Sequence, residues 1–338
     1  LGAAALTVRR GRREERASLA LLQGTAVLAG LLLRVSVLGS LAGETPAAVL
    51  RGLGTGARAL AMLAVAPQWA RLLLWPAHLQ VEYGPPALPV DPALGTAQLA
   101  GLLVLGVTGL ALGWSWSRRP VLAFGLLWLL LALLPVSNLI APTGILLAER
   151  VLYLPSVGLA LGIGAVAAAG WPRFSGASRA ARRAVAVAVL ALLALGGVAT
   201  VLGQARWQSQ QRFFAALEHT AAGSYRAQFV VSRYYYGERR YGEAEAAARR
   251  ALALYGKDPQ VHEQLGQVLR VEGRCAEALP ILAEGVRLAP DGTTLRSRLI
   301  ECALQTGDTA RARDAAREAV RLGQREFQQT LDRLGGRP

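Results

Sequence analysis

From its start to about residue 205 the chain alternates long apolar runs with short polar breaks, and after that point the pattern changes. Residues 17–38, 96–117, 120–137, 151–171 and 184–204 each form a nearly charge-free stretch long enough to cross about 30 Å of hydrocarbon as a helix. A sixth stretch, residues 56–75, is apolar but broken by Pro67, Gln68 and Arg71. It predicts an interrupted, re-entrant segment lying at the outer membrane surface. Beyond residue 205 the apolar positions recur at helical spacing with a 34-residue period: Glu243-Ala244 and Glu277-Ala278 match, Ala312 continues the series, and Ala251, Gly285 and Ala319 form a second register. The pattern predicts a linker or capping helix over 206–224, helical repeats over 225–258, 259–292 and 293–326, and a tail over 327–338. Gly273 and Gly307 fall where the turn between paired helices needs a permissive residue. The predicted fold is therefore all-α: a polytopic transmembrane helix bundle followed by an α-solenoid.

Composition agrees with this division. Of 338 residues 53% are hydrophobic and 17% charged, which excludes an ordinary soluble protein of this length. The net charge of +15 is carried almost wholly by arginine, Lys257 being the only lysine. This bias, with one asparagine in the chain, points to a GC-rich, bacterial source. The arginines gather beside apolar spans, at Arg9–Arg16, Arg118-Arg119 and Arg173–Arg183, so membrane orientation explains them and nucleic acid is not an expected partner. Placing all three clusters in the cytoplasm requires five full spans with 56–75 not crossing. Six spans, with the rule broken once, is the alternative. The five-span topology puts the repeats outside the cytoplasm of a bacterial inner-membrane protein. The chain opens at Leu1 and shows no signal-peptide pattern, which predicts a sequence lacking its N-terminal part.

Candidate chemistry concentrates in "NLIAPTGILLAERVLYLPSVG", residues 138–158. A charged dipeptide, Glu149-Arg150, interrupts apolar sequence, where a charge at membrane depth costs about 2.5–3.5 kcal/mol. Either Arg150 reaches to the interface with Glu149 as its partner, or its planar fork of donors binds an anion such as a lipid phosphate. Tyr153, three residues on, shares the helical face of Arg150. His78, His219 and His262 are scattered, and no metal-ligand spacing, Walker loop or dinucleotide glycine pattern occurs. Cys275 and Cys302 fall in neighbouring repeats; packing can bring them together and an extracytoplasmic site would permit a bond, while two small buried residues is the simpler reading.

These residues, with "LLLWPAHLQVEYGP" upstream and the repeats downstream, resemble the transmembrane and tetratricopeptide-repeat O-mannosyltransferase family and its bacterial relatives. The resemblance implies the C-terminal part of a GT-C glycosyltransferase bundle followed by tetratricopeptide repeats. It implies inverting transfer of a sugar from a polyprenyl-phosphate donor to a hydroxyl of an outer-face acceptor. The donor is a substrate, and no cofactor or metal is implied. Membrane lipids and a protein or peptide acceptor bound through the repeats are the implied partners. Glu149, Arg150 and Tyr153 match the family's membrane-edge motif. Glu82-Tyr83 takes the place of its acidic-aromatic pair, with Glu for the usual Asp, and His78 and Asn138 complete a candidate outer-loop site. The catalytic base of such enzymes lies in the first outer loop, so the resemblance puts it upstream of residue 1. Two rival readings share the layout: a non-catalytic membrane-anchored repeat scaffold for envelope protein assembly, and an O-antigen ligase or polymerase, which would carry a large arginine-rich outer loop.

Overall fold

The structure, a computed structural model, describes residues 47–335 apart from 77, 78, 81, 87 and 177, with helical residues scattered between 25 and 37. Most of the span expected at 17–38, and His78, lie outside the described residues. The described residues are all-helical; their only β-pairings are two isolated antiparallel bridges, Tyr83 with Leu147 and Pro86 with Ser224.

Among the described residues three helices are long and apolar enough to cross a membrane, over Thr96–Arg118, Glu149–Pro172 and Arg179–Trp207. In chain order, α1 (Thr55–Leu63) and α2 (Ala66–Leu74) form the interrupted segment, α3 is Thr96–Arg118, and α4 (Pro120–Leu133) follows at once. With one further 3-10 turn α4 reaches Val136, shorter than the other three. Then come α5 (Tyr153–Ser175) and α6 (Arg179–Gln204). Proline at the first or second position of α2 and α4 costs no intrahelical hydrogen bond there. Gly125 on α4 and Gly158 on α5 face each other so closely that a Cβ on either would run into the other's backbone carbonyl. That contact holds the two helices together as small residues do in membranes, where there is no water to drive association. None of the most apolar stretch of α6 is buried by the rest of the chain.

The well-packed core of this half lies at the end from which the segment before α3 and the turn before α5 lead into their helices. Met62, Val65, Trp69 and Leu72 of α1–α2 are buried against Tyr83, Leu88 and Val90 of the segment before α3 and against Leu146, Leu147 and Leu152 before α5. α1 ends at Leu63 and α2 begins at Ala66, so the apolar stretch is broken into two short helices.

After the short helix α7 (Gln210–Thr220) come three packed pairs: α8 (Tyr225–Gly237) with α9 (Tyr241–Leu254), α10 (Pro259–Val271) with α11 (Cys275–Leu288), and α12 (Thr293–Gln305) with α13 (Thr309–Arg321). The first helices of the pairs begin 34 residues apart, and so do the second ones. Ala244, Ala278 and Ala312 are each fully buried, because the partner helix leaves room for a methyl group only. The turns inside the second and third pairs carry Gly273 and Gly307 with φ of +77°, and Arg239 takes the same left-handed position in the first at +59°. The region expected as a tail contains a further short helix, α14 (Gln328–Arg333), with Phe327 and Leu331 buried in the array's core.

Cys275 and Cys302 are joined by a disulfide between α11 and α12, which corrects the expectation of two small buried thiols. The bond spans 27 residues, so chain-entropy arguments give it about 3.5 kcal/mol. In protein unfolded without reductant, maleimide should label neither cysteine, and adding a reductant should lower the array's stability by about that amount. Free thiols in unreduced protein would contradict the bond.

Candidate functional site

This core holds the acidic-aromatic pair and the charged dipeptide side by side. Asn138 shapes the loop that leads to the dipeptide. Its backbone is left-handed at φ +58°, a conformation asparagine tolerates better than most residues, and its side chain is fully buried. Its Nδ2 donates to Ile145 O at 3.0 Å, while its Oδ1 accepts from Thr143 N at 2.6 Å and from Thr143 Oγ1 at 2.9 Å. Asn138 thus closes the 138–145 loop from inside and is not brought to a cavity.

The chain then enters a 3-10 turn, Glu149–Leu152, that leads directly into α5. Glu149 Oε1 accepts from the backbone N–H of Gln80 at 2.7 Å and from the hydroxyl of Tyr83 at 2.5 Å. Tyr83 is itself buried in the core. Burial, followed by the hydrogen bond to Glu149, pushes its phenol up to about 12 from 10.0. The phenol therefore donates to Glu149 across the physiological range. Because the folded value is raised, the stability this proton contributes is present below pH 10.0 and is lost only as pH rises through about 12.

Glu149 is thereby bound to the 76–91 segment and makes no ion pair with Arg150. Among the described residues no carboxylate lies within ion-pair distance of Arg150, which is exposed. Of the two sequence readings, the one in which Glu149 partners Arg150 does not describe this geometry. Glu82, one residue before Tyr83, pairs with Arg226 of α8 at 3.3 Å. Burial raises the Glu82 carboxyl above its usual range, and the positive charges of Arg226 and then Arg150 pull it back. Both guanidinium groups therefore act on this carboxylate, one from the helical array and one from the membrane edge.

The same segment fastens the array to the bundle. Tyr225 N donates to Pro85 O at 3.3 Å, and Pro86 bridges to Ser224, the residue whose hydroxyl caps α8. A Cβ on Gly84 would lie 3.3 Å from Ser224 Oγ, so the backbones meet where a side chain would hold them apart.

A cavity of about 570 Å³ opens between this cluster and the C-terminal end of α6. Gln80, Glu149 and Arg150 line one side; Thr200, Arg206 and Trp207 line the other. Tyr153, expected beside Arg150, is 79% exposed at the start of α5 and does not line it. The residues sequence reasoning missed are Arg206 and Trp207. The sequence pattern puts them at the start of the 206–224 linker, although an Arg-Trp pair just after an apolar span is an interfacial signal. A second, polar groove of about 270 Å³ runs over the array, lined by Phe229 and Arg233 of α8, Gln264 and Gln267 of α10 and Arg298 of α12.

No family model matches the chain. It is similar to curated proteins named protein O-mannosyl-transferases. It is 37% identical over 100 residues to Tmtc1 of Drosophila melanogaster, which covers 30% of this chain and 11% of that protein. To human TMTC4 it is 35% identical over 101 residues, covering 29% and 12%. The match to Drosophila Tmtc3 is longer, 26% identical over 175 residues, covering 52% and 18%. The chain thus matches between 11% and 18% of the length of these three relatives.

Proposed function

We propose that this chain belongs to a membrane glycosyltransferase that moves a sugar from a polyprenyl-phosphate donor to a hydroxyl of an extracytoplasmic protein or glycan. Mannose is the sugar named in the relatives. The observation that carries the proposal is Arg150, which has no carboxylate partner, beside an anchored Glu149 at the mouth of a cavity where α5 begins. An arginine fork there suits a phosphate, and it would act most strongly on the dianion released as the acceptor oxygen attacks the sugar's anomeric carbon. The base is assigned to no described residue. Glu149 is committed to Tyr83 and Gln80, and Glu82 to Arg226.

The array is proposed to be a set of tetratricopeptide repeats that recruits the acceptor through the polar groove over α8, α10 and α12. We place it on the extracytoplasmic side of a multi-pass protein, in a bacterial inner membrane. Two independent features support that side: the arginine clusters of the sequence, and the disulfide, since such bonds persist in oxidising compartments. The test is labelling of intact cells with a membrane-impermeant maleimide. Lys257→Cys should label from outside, and Ser117→Cys and Ser178→Cys, in the last turn of α3 and just before α6, should be protected until the membrane is opened. A cytosolic residue 257 removes the outer-face reaction.

A further inference from the structure

We infer that the C-terminal end of α6 is the second wall of a binding site for a phosphate ester carried on a long apolar chain, with Arg206 sharing the phosphate with Arg150 and Trp207 covering the group beyond it. The phosphate chemistry stands on the cavity alone; only the sugar rests on the reading proposed above.

Three observations converge. First, Arg150 and Arg206 line one cavity from two elements 56 residues apart in sequence, and among the described residues no ion pair engages either one. The one carboxylate in that lining, Glu149, is already bonded to Tyr83 and Gln80, so an anion entering the cavity would meet two guanidinium groups that no ion pair holds. The end of α6 adds the partial negative charge of a helix C-terminus, which an anion would not choose by itself. The attraction must come from the arginines.

Second, the face of α6 below Arg206 is an open furrow. Gly196, Thr200 and Gly203 recur at spacings of four and three and line the cavity with Trp207 above them. A Cβ on Gly196 or Gly203 would meet nothing within 4 Å, so the missing side chains leave space unfilled by the chain. Thr200 donates its hydroxyl to Gly196 O at 2.8 Å, which satisfies the hydroxyl within the helix. The furrow runs from the apolar body of α6 to the charged mouth, which is the path an acyl or isoprenoid chain needs if its phosphate is to reach the arginines.

Third, Trp207 is 66% exposed, yet its ring rests against Phe213 with centroids 4.9 Å apart. An indole held on one side and open on the other offers a flat apolar surface beside the phosphate, suited to the face of a pyranose or to the interface.

The ligand chemistry has two sources, a polyprenyl phosphate and a bilayer phospholipid, and one experiment separates them. The full-length protein in detergent is titrated with a fluorescent polyprenyl phosphate, then with unlabelled polyprenyl phosphate, the corresponding alcohol, inorganic phosphate and phosphatidylglycerol as competitors. Polyprenyl phosphate should displace the probe, and the alcohol and inorganic phosphate should not at equal concentration. Arg206→Ala should weaken binding about tenfold to hundredfold, the range expected for a lost charge-assisted hydrogen bond. Arg206→Lys should restore part of it, and Gly203→Leu, which fills the furrow without touching charge, should also weaken binding. Thermal melting of each variant shows that it is folded. Equal competition by phosphatidylglycerol upholds the two-arginine site and makes bilayer lipid its occupant. Unchanged binding by both folded Arg206→Ala and folded Gly203→Leu overturns the α6 wall. If Arg150→Ala still abolishes binding in that case, the proposed function survives without it.

Discussion

Arg150→Ala in the full-length protein lowers transfer from the lipid donor by about tenfold to hundredfold, the scale of a hydrogen bond between a guanidinium and an ionised group. Arg150 makes no ion pair to break, its charge on Glu82 is secondary to that of Arg226, and Glu149 keeps both of its partners without it. The variant should therefore fold and melt like the parent, so a fall in rate reports on the anion and not on the scaffold. How the loss divides between kcat and donor KM tells which state the arginine serves. A loss confined to KM means ground-state phosphate binding, and an equal fall in kcat and kcat/KM means that the charge matters as the phosphate departs. Arg150→Lys keeps the charge without the fork and should fall between the two. Unchanged kcat and KM in the alanine variant would strip Arg150 of any part in transfer and favour the scaffold reading.

Asp258→Ala should destabilise the helical array by about 2–4 kcal/mol. Asp258 is 3% exposed and does two jobs. Its Oδ1 accepts from Gln260 N at 3.1 Å and caps α10, and its Oδ2 accepts from the hydroxyl of Tyr225 at 3.0 Å. Losing the cap costs about 1 kcal/mol, and leaving a buried hydroxyl without a partner costs about 1–3 kcal/mol. Tyr225 is 1% exposed and packed on Tyr255 with ring centroids 4.8 Å apart, so water cannot replace the carboxylate. Burial and then the Asp258 charge raise its phenol well above the usual tyrosine value, so the proton stays in this hydrogen bond. For an array of this size, chemical or thermal melting followed by circular dichroism should show a drop of roughly 10 °C or more. Asp258→Asn retains an acceptor and a capping side chain and should recover most of the loss. The effect should reach the membrane side as well, because Tyr225 N is bonded to Pro85 O and its neighbour Arg226 to Glu82. A fully stable alanine variant would mean that the Tyr225–Asp258 contact does not hold the first two helix pairs together.

The division between membrane and polar halves was legible because hydrophobic periodicity is local: a charge-free run or a 34-residue recurrence can be read without knowing what packs where. The helix pairs start at the spacing which that recurrence prescribes. Glu149 and Arg150 stood out for the same reason, as charges in an apolar setting. Their roles did not. Adjacent in sequence, they suggest a pair; folded, Glu149 is drawn to Tyr83 and Gln80 across 66 and 69 residues, and Arg150 is left for something else. Asn138 looked like a site residue because it is the only asparagine, and it is a loop clamp because its left-handed backbone turns its amide inward.

By itself, then, the sequence determined the all-helical class, the apolar spans, the period of the array and the presence of an ionisable dipeptide at a membrane edge, since each depends on side-chain character along a short stretch. Only the tertiary structure decided that Glu82 meets Arg226 across 144 residues, that two cysteines close a bond, and that Arg206 and Arg150 line one cavity. Such meetings depend on how helices cross and where loops return. Those are set by packing and hydrogen bonding summed over the whole fold, which no local pattern of residues contains.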